Sequence, residues 1–160
     1  MSSGESQEPV PLTKREFESL ARFRFGVRRY LRFSEETVRS HGLTPQQYQL
    51  MLALKGFPGR EWAAMRELAE RLQLRHHSVV ELVDRAQKQG LVRRAADPSD
   101  ARTVRVELTS DGEMTLVRLS AMHRDELQRL GPTIELPIFD DPSVGYRTEQ
   151  PAQGSGKSPK

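Results

Sequence analysis

The residues best suited to chemistry lie between Leu91 and Thr109, reading LVRRAADPSDARTVRVELT. Two short segments of alternating apolar residues flank a polar, turn-rich tip, and that tip ends in Asp100-Ala101-Arg102. An arginine carried outward on a β-hairpin suits a DNA minor groove, where narrowing concentrates negative potential and a planar guanidinium fits. A second cluster, Arg75-His76-His77-Ser78, opens a helical stretch upstream. The chemistry expected of this set is recognition of a charged duplex rather than catalysis.

These side chains need elements to hold them. Thr13 with Glu16 forms a capping box that starts a long first helix, and Gly42 ends it. Leu20, Phe23, Val27, Tyr30, Leu31 and Val38 recur along that helix at helical spacing, and Phe17, Phe25 and Phe33 widen the stripe beyond the needs of one small core. Thr44-Pro45-Gln46-Gln47 starts a second helix, with Tyr48, Met51, Leu52 and Leu54 on its buried side. Trp62-Ala63-Ala64 reads as a short strand. A third helix is expected over about Met65 to Leu72, then a tight turn at Gln73 to Arg75 and a fourth helix from His76 to Gln89. Gly90 supplies a left-handed cap. In the second hairpin strand Val104, Val106 and Leu108 are expected to face inward, and Arg105 and Glu107 outward. Thr109 caps a fifth helix running to about Leu130, where Gly131-Pro132 stops it.

The expected organisation is therefore a disordered lead over 1–12, a folded unit over 13–131 with a DNA-binding lobe at about 44–109, and an extended, partly disordered tail over 132–160. In that tail Ile134, Leu136, Ile138 and Phe139 are apolar enough to dock on a surface. The fold class expected is mainly α with a small antiparallel β-wing: a winged helix-turn-helix, with a helical dimerisation region from the first and fifth helices.

Composition bounds the function. The chain has 160 residues, a formal net charge of +3 and no cysteine. The charge is compatible with nucleic acid. The lack of cysteine excludes disulfides, thiolate metal sites and a cysteine nucleophile. There is no apolar run near the roughly 20 residues that span a bilayer, and no signal-peptide pattern at the start, so a cytoplasmic location is expected. No Gly-rich phosphate loop, metal-binding helix pair or serine elbow is present, so no enzyme and no cofactor is expected.

In such a unit the fourth helix enters the major groove by its N-terminal end, which offers Arg75, His76, His77 and Ser78, with Glu81 and Arg85 further along. Arg93 and Arg94 at the wing base and Arg102 at its tip add positive charge. Taken alone, Arg102 could equally be a solvated charge. His76 and His77 lack a third ligand at matching spacing, so no metal site is expected. Tyr30, His41, Tyr48, Met51 and Trp62 either line an effector pocket below the DNA-binding lobe or serve as ordinary core residues. His123, on the apolar stripe of the fifth helix, reads as a satisfied core or interface histidine. The arginines of the first helix read as a solvated face laced with ion pairs.

The ordered set Glu67-Leu68-Ala69-Glu70-Arg71-Leu72, Val83-Asp84-Arg85, Gly90-Leu91-Val92-Arg93-Arg94, Asp97-Pro98-Ser99-Asp100-Ala101-Arg102 and Leu108-Thr109-Ser110-Asp111-Gly112 resembles the MarR-type winged-helix transcriptional regulators. The likeness spans about Phe25 to Leu130. It implies an obligate homodimer on a pseudo-palindromic operator, an Asp100 that braces Arg102 through a charge-assisted hydrogen bond, and release of DNA by a small, often aromatic or phenolic, molecule. The sequence departs from the family at four places. Ala64 stands where Thr or Ser commonly caps the third helix, Val80 and Glu81 stand where recognition residues are usually polar or basic, the His76-His77 pair stands where Arg or Ser is commoner, and no final helix is evident after Gly131. The function expected is a sequence-specific, double-stranded DNA-binding transcriptional regulator, a homodimeric repressor released by a small-molecule effector. The alternative is a winged-helix protein-interaction module that no longer reads DNA.

Overall fold

Thr13 opens the first helix as expected: its hydroxyl accepts the Glu16 N–H at 3.3 Å, and the Glu16 carboxylate accepts the Thr13 N–H at 2.7 Å. In the computed structural model, which describes residues 11–139, this helix is α1 (Lys14–Ser40). The same reciprocal box at Thr44 and Gln47 starts α2 (Pro45–Lys55), with Pro45 in the first turn. Then follow β1 (Trp62–Ala64), α3 (Met65–Leu72), α4 (His76–Lys88), β2 (Val92–Ala96), β3 (Val104–Leu108) and α5 (Ser110–Leu130). A single 3-10 turn, Gly131–Thr133, ends the regular structure. The expected lead over 1–12 and the tail from residue 140 onward lie almost wholly outside the described residues.

The three strands form one antiparallel sheet in the order β1-β3-β2. Ala63 pairs with Val106, and both are fully buried. They press the sheet onto Leu50, Met51, Leu54, Leu68, Val79, Leu82, Val83 and Leu119, supplied by α2, α3, α4 and α5. Removing this apolar area from water is the main force holding the helix-turn-helix to its wing.

Two glycines set the entry and exit of the wing. Gly90 has φ +71°, a left-handed conformation that side chains resist, and turns the chain from α4 into β2. Gly112 packs face-on against Leu91, where a Cβ would sit 2.0 Å from the Leu91 carbonyl oxygen. Thr109 completes this junction: its N–H donates to the Leu91 carbonyl at 3.1 Å, and its hydroxyl accepts the Gly112 N–H at 3.0 Å, capping α5.

Some expectations need correction. Val104 does not share the burial of Val106; it is 43% exposed, because it lies at the tip end of the wing, beyond the reach of the core. The apolar residues after Gly131 do not dock tightly. Leu136 and Ile138 are more than half exposed, although the Ile138 N–H reaches the Ser19 hydroxyl of α1 at 3.3 Å. Leu52, expected on the buried side of α2, is 47% exposed, whereas the exposure of Phe17 and Phe25 on α1 agrees with a stripe wider than one core needs. Among the described residues no helix is long and apolar enough to cross a membrane.

Candidate nucleic-acid interface

The turn between α3 and α4 is built by Gln73, a non-glycine at φ +53°. Its strain is offset locally: the Gln73 side-chain amide donates to the Glu70 carbonyl at 2.6 Å, and the Leu74 N–H donates to the Ala69 carbonyl at 3.0 Å. Arg75 then takes the N-cap position of α4, without a side-chain hydrogen bond to the first turn. No acidic residue stands in that turn, so the positive end of the helix is left uncompensated. Arg75, His76 and His77 are exposed there, and Ser78 is half-buried. Val79, Leu82, Val83 and Ala86 form the buried face that fixes the rotation of the helix. Glu81 and Arg85 point to solvent on the other side.

The wing arginines divide into two groups. Arg94 is committed internally: its guanidinium donates to Asp84 at 2.6 Å and to Gln87 at 2.7 Å, tying β2 to α4. Arg93 is exposed but pairs with Glu107 at 2.9 Å across the sheet. Among the described residues Arg75, Arg85 and Arg102 enter no ion pair. They remain able to meet an external anion.

The tip is organised by two aspartates. Asp97 is buried, and one carboxylate oxygen accepts the Ser99 N–H at 2.7 Å, the Ser99 hydroxyl at 2.6 Å and the Asp100 N–H at 3.2 Å. Its other oxygen accepts the Arg105 Nε–H at 2.7 Å. The Arg105 bond, followed by those of Ser99, holds the Asp97 carboxyl far below the ordinary carboxylate range. Asp100 accepts the backbone N–H of Arg102 at 3.0 Å and the Thr103 hydroxyl at 3.0 Å. Asp100 therefore grips the main chain of Arg102 and leaves its guanidinium exposed.

A shallow, open pocket of about 460 Å³ lies away from this surface, between α1, α2 and α5. Of the five expected pocket residues only Tyr30 and Tyr48 line it. Met51 is fully buried in the core, His41 caps the end of α1 through a 2.8 Å contact between Nδ1 and the Thr37 carbonyl, and Trp62 lies in the sheet. The missed lining residues are mostly on α5: Ser120, His123, Arg124, Leu127 and Gln128. Their spacing marks a single helix face, a signal present in the sequence. His123 is buried with both nitrogens engaged, Nδ1–H donating to the Leu119 carbonyl at 2.6 Å and Nε2 meeting the Ser34 hydroxyl at 2.7 Å. Its ring stacks on Tyr48 at 4.4 Å. Burial pushes the phenols of Tyr30 and Tyr48 upward, so both stay protonated at neutral pH.

Residues 41–103, from the end of α1 through the wing tip, match the family model described as the MarR family. This stretch is MarR-like in sequence. Over 114 residues the chain is 27% identical to YsmB of Bacillus subtilis (strain 168), an uncharacterized HTH-type transcriptional regulator, covering 66% of the chain and 72% of the relative. Its fold is similar to that of AbsC, a MarR family transcriptional regulator from Streptomyces coelicolor (TM-score 0.65, 22% identity, 81% and 86% of the two chains covered). It is also similar to that of a MepR mutant from S. aureus solved bound to an oligodeoxyribonucleotide (TM-score 0.58, 18% identity, 74% and 84% covered). The matched family and fold are those of transcription regulators, not of enzymes.

Proposed function

We propose that this chain is a sequence-specific double-stranded DNA-binding regulator that acts as a homodimer, with the lobe over about 44–109 reading DNA. The observation that carries the reading is the shared exposure of Arg75, His76 and His77 at the uncompensated start of α4 and of the unpaired Arg102 at the wing tip. The first cluster suits the major groove and the second the adjacent minor groove. Phosphates are met by Arg85 and by Arg93, whose bond to Glu107 is exposed and exchangeable. Glu81, at the outer edge of α4, is assigned to base-edge contact, where a carboxylate accepts from cytosine.

The dimer is assigned to α1 and α5, which expose the apolar side chains of Phe17, Phe25, Leu31 and Leu127. Repression is assigned to occlusion of a promoter. The cavity between Tyr30, Tyr48 and His123 is assigned to a small aromatic effector, which stacks on the rings and shifts the population toward a form that releases DNA.

The test is fluorescence anisotropy of the full chain on the DNA upstream of its own gene and on scrambled DNA, each across a salt series. Tighter binding to the upstream fragment with a steep salt slope supports the reading. Equal, weak and salt-insensitive binding to both overturns it and favours a protein-interaction module.

A further inference from the structure

The strongest feature left unused is a run of arginines and aromatic rings on the outer side of the sheet. The guanidinium carbons of Arg71 and Arg60 lie 4.3 and 4.2 Å from the Phe57 ring centroid. Arg60 also lies 3.9 Å from the centroid of Trp62, and Arg105 approaches the same ring at 3.9 Å. The order is Arg71, Phe57, Arg60, Trp62, Arg105, and Asp97 closes the wing end through its bond to Arg105. Cations so close together repel one another unless π faces and anions separate them. Here two rings do so, helped by the ion pair of Arg60 with Glu67.

Sheet register explains how the array forms. Trp62 pairs with Glu107 and Ala64 with Arg105, so Trp62 and Arg105 are diagonal neighbours on one face, within reach of long side chains. The other face carries Ala63 and Val106 into the core. The core therefore anchors the base of the sheet without the array. What the array adds lies farther out. Contacts run from the Arg102 N–H to Asp100, from the Asp100 N–H to Asp97, from Asp97 to Arg105, and through Trp62 and Arg60 to Glu67. Glu67 sits in the first turn of α3, which leads directly into α4.

We propose that this cation–π array is a positioning device for DNA recognition, in which Trp62 and Arg105 set the attitude of the wing tip relative to α3 and α4. The proposal rests on the DNA-binding reading above. Trp62 acts through Arg105 and Asp97 and touches no DNA, so it is a positioning residue rather than a contact residue.

The experiment compares the full-length wild type with Trp62→Ala, Trp62→Phe and Arg105→Gln by hydrogen exchange of the free protein and by anisotropy on a DNA fragment the wild type binds. In Trp62→Ala and Arg105→Gln, exchange over residues 97–103 accelerates while α2 and α4 keep their protection. Affinity for DNA falls about tenfold. The salt slope of Trp62→Ala stays at the wild-type value, because no phosphate contact has been removed. Trp62→Phe keeps a ring and restores most of the affinity. Trp62 is the only tryptophan of the chain, so its emission in Arg105→Gln reports the loss of the array directly. Unchanged tip exchange or unchanged affinity in the folded variants overturns the proposal, as does a reduced salt slope in Trp62→Ala, which would make position 62 part of the contact surface. Should Trp62→Ala fail to fold, Trp62→Phe and Arg105→Gln decide on the same readouts. A wild type that binds no DNA defeats the regulator reading instead, and tip exchange still decides whether the array anchors the tip.

Discussion

Gly112 and Leu91 meet backbone to backbone: a Cβ on Gly112 would lie 2.0 Å from the Leu91 carbonyl oxygen and 2.9 Å from its carbonyl carbon. This contact locks the start of α5 to the junction where α4 becomes the wing. It couples the helix assigned to dimerisation to the hairpin assigned to DNA, so a shift of α5 must carry the base of the wing with it.

Gly112→Ala is therefore expected to destabilise the fold by about 2–4 kcal/mol, since backbone rather than a flexible side chain must yield. Gly131→Ala is the control. Gly131 has helical φ and ψ of −45° each, and apart from its chain neighbours nothing lies within 4 Å of an added Cβ. The following Pro132 disfavours helical geometry at a residue that carries a Cβ, so a small loss, below about 1 kcal/mol and well short of that at Gly112, is expected. Urea unfolding of both variants checks the pair, and equal midpoints would refute the close approach.

Ala64 gives a prediction of the opposite sign. It holds the N-cap position of α3 with φ −79° and ψ 158°, the extended geometry a capping residue needs, but has no oxygen to offer. The other half of the box is already in place, with the Ala64 N–H donating to Glu67 Oε2 at 2.8 Å. Burial raises the Glu67 carboxyl, yet this bond and the Arg60 guanidinium outweigh it and leave the group below its ordinary value. Ala64→Ser completes the box and is expected to add about 1 kcal/mol. Thermal unfolding would show the melting temperature rising by a few degrees; no rise would mean that the serine hydroxyl finds another partner.

The helices were legible in the sequence because their signals are local. The boxes at Thr13 and Thr44, the cap at Thr109 and the left-handed Gly90 each act within four residues, and the observed ends follow them. Helix α3 starts at Met65 even without a cap, because Glu67 satisfies the chain from the other side. What was not legible depends on contacts distant in sequence. Trp62 reads as a candidate pocket aromatic until β1 pairs with β3 and brings Arg105 over its ring. His123 reads as a core histidine, which it is, but its partner Ser34 lies 89 residues away. The cavity lining was hidden for a different reason: the face of α5 that supplies it mixes Ser120, Arg124 and Gln128 with His123 and Leu127 and carries no aromatic stripe.

Asp97 carries a pH dependence whose sign follows from its depressed folded value. The carboxylate contributes stability in full above its unfolded pKa of about 4, and that contribution is lost as the pH falls from there toward the lower folded value. Asp97→Asn removes the ion pair with Arg105 while keeping an acceptor for Ser99. The gap in melting temperature between wild type and variant should be constant from about pH 8 to pH 5 and narrow below about pH 4. Melting curves across that range measure it. A gap that already closes near neutrality would assign the effect to another group.

Arg102 and Arg94 sit on the same hairpin and should fail in different ways. The Arg102 guanidinium has no ionic partner among the described residues, so Arg102→Ala costs the free protein nothing measurable in stability. On the proposed reading it weakens DNA binding and lowers the salt slope by about one, the signature of a lost phosphate-proximal cation. Arg94 is spent on Asp84 and Gln87. Its removal frees β2 from α4 and leaves the Asp84 carboxylate without its partner beside the proposed DNA face, adding repulsion rather than subtracting a contact. Arg94→Ala should therefore lower the melting temperature, and its affinity loss should be largely recovered in Arg94→Ala with Asp84→Ala. Anisotropy and thermal melts on the two single variants and the double variant separate the roles. A salt slope reduced equally by both single substitutions, with no recovery in the double variant, would place Arg94 on the phosphates beside Arg102.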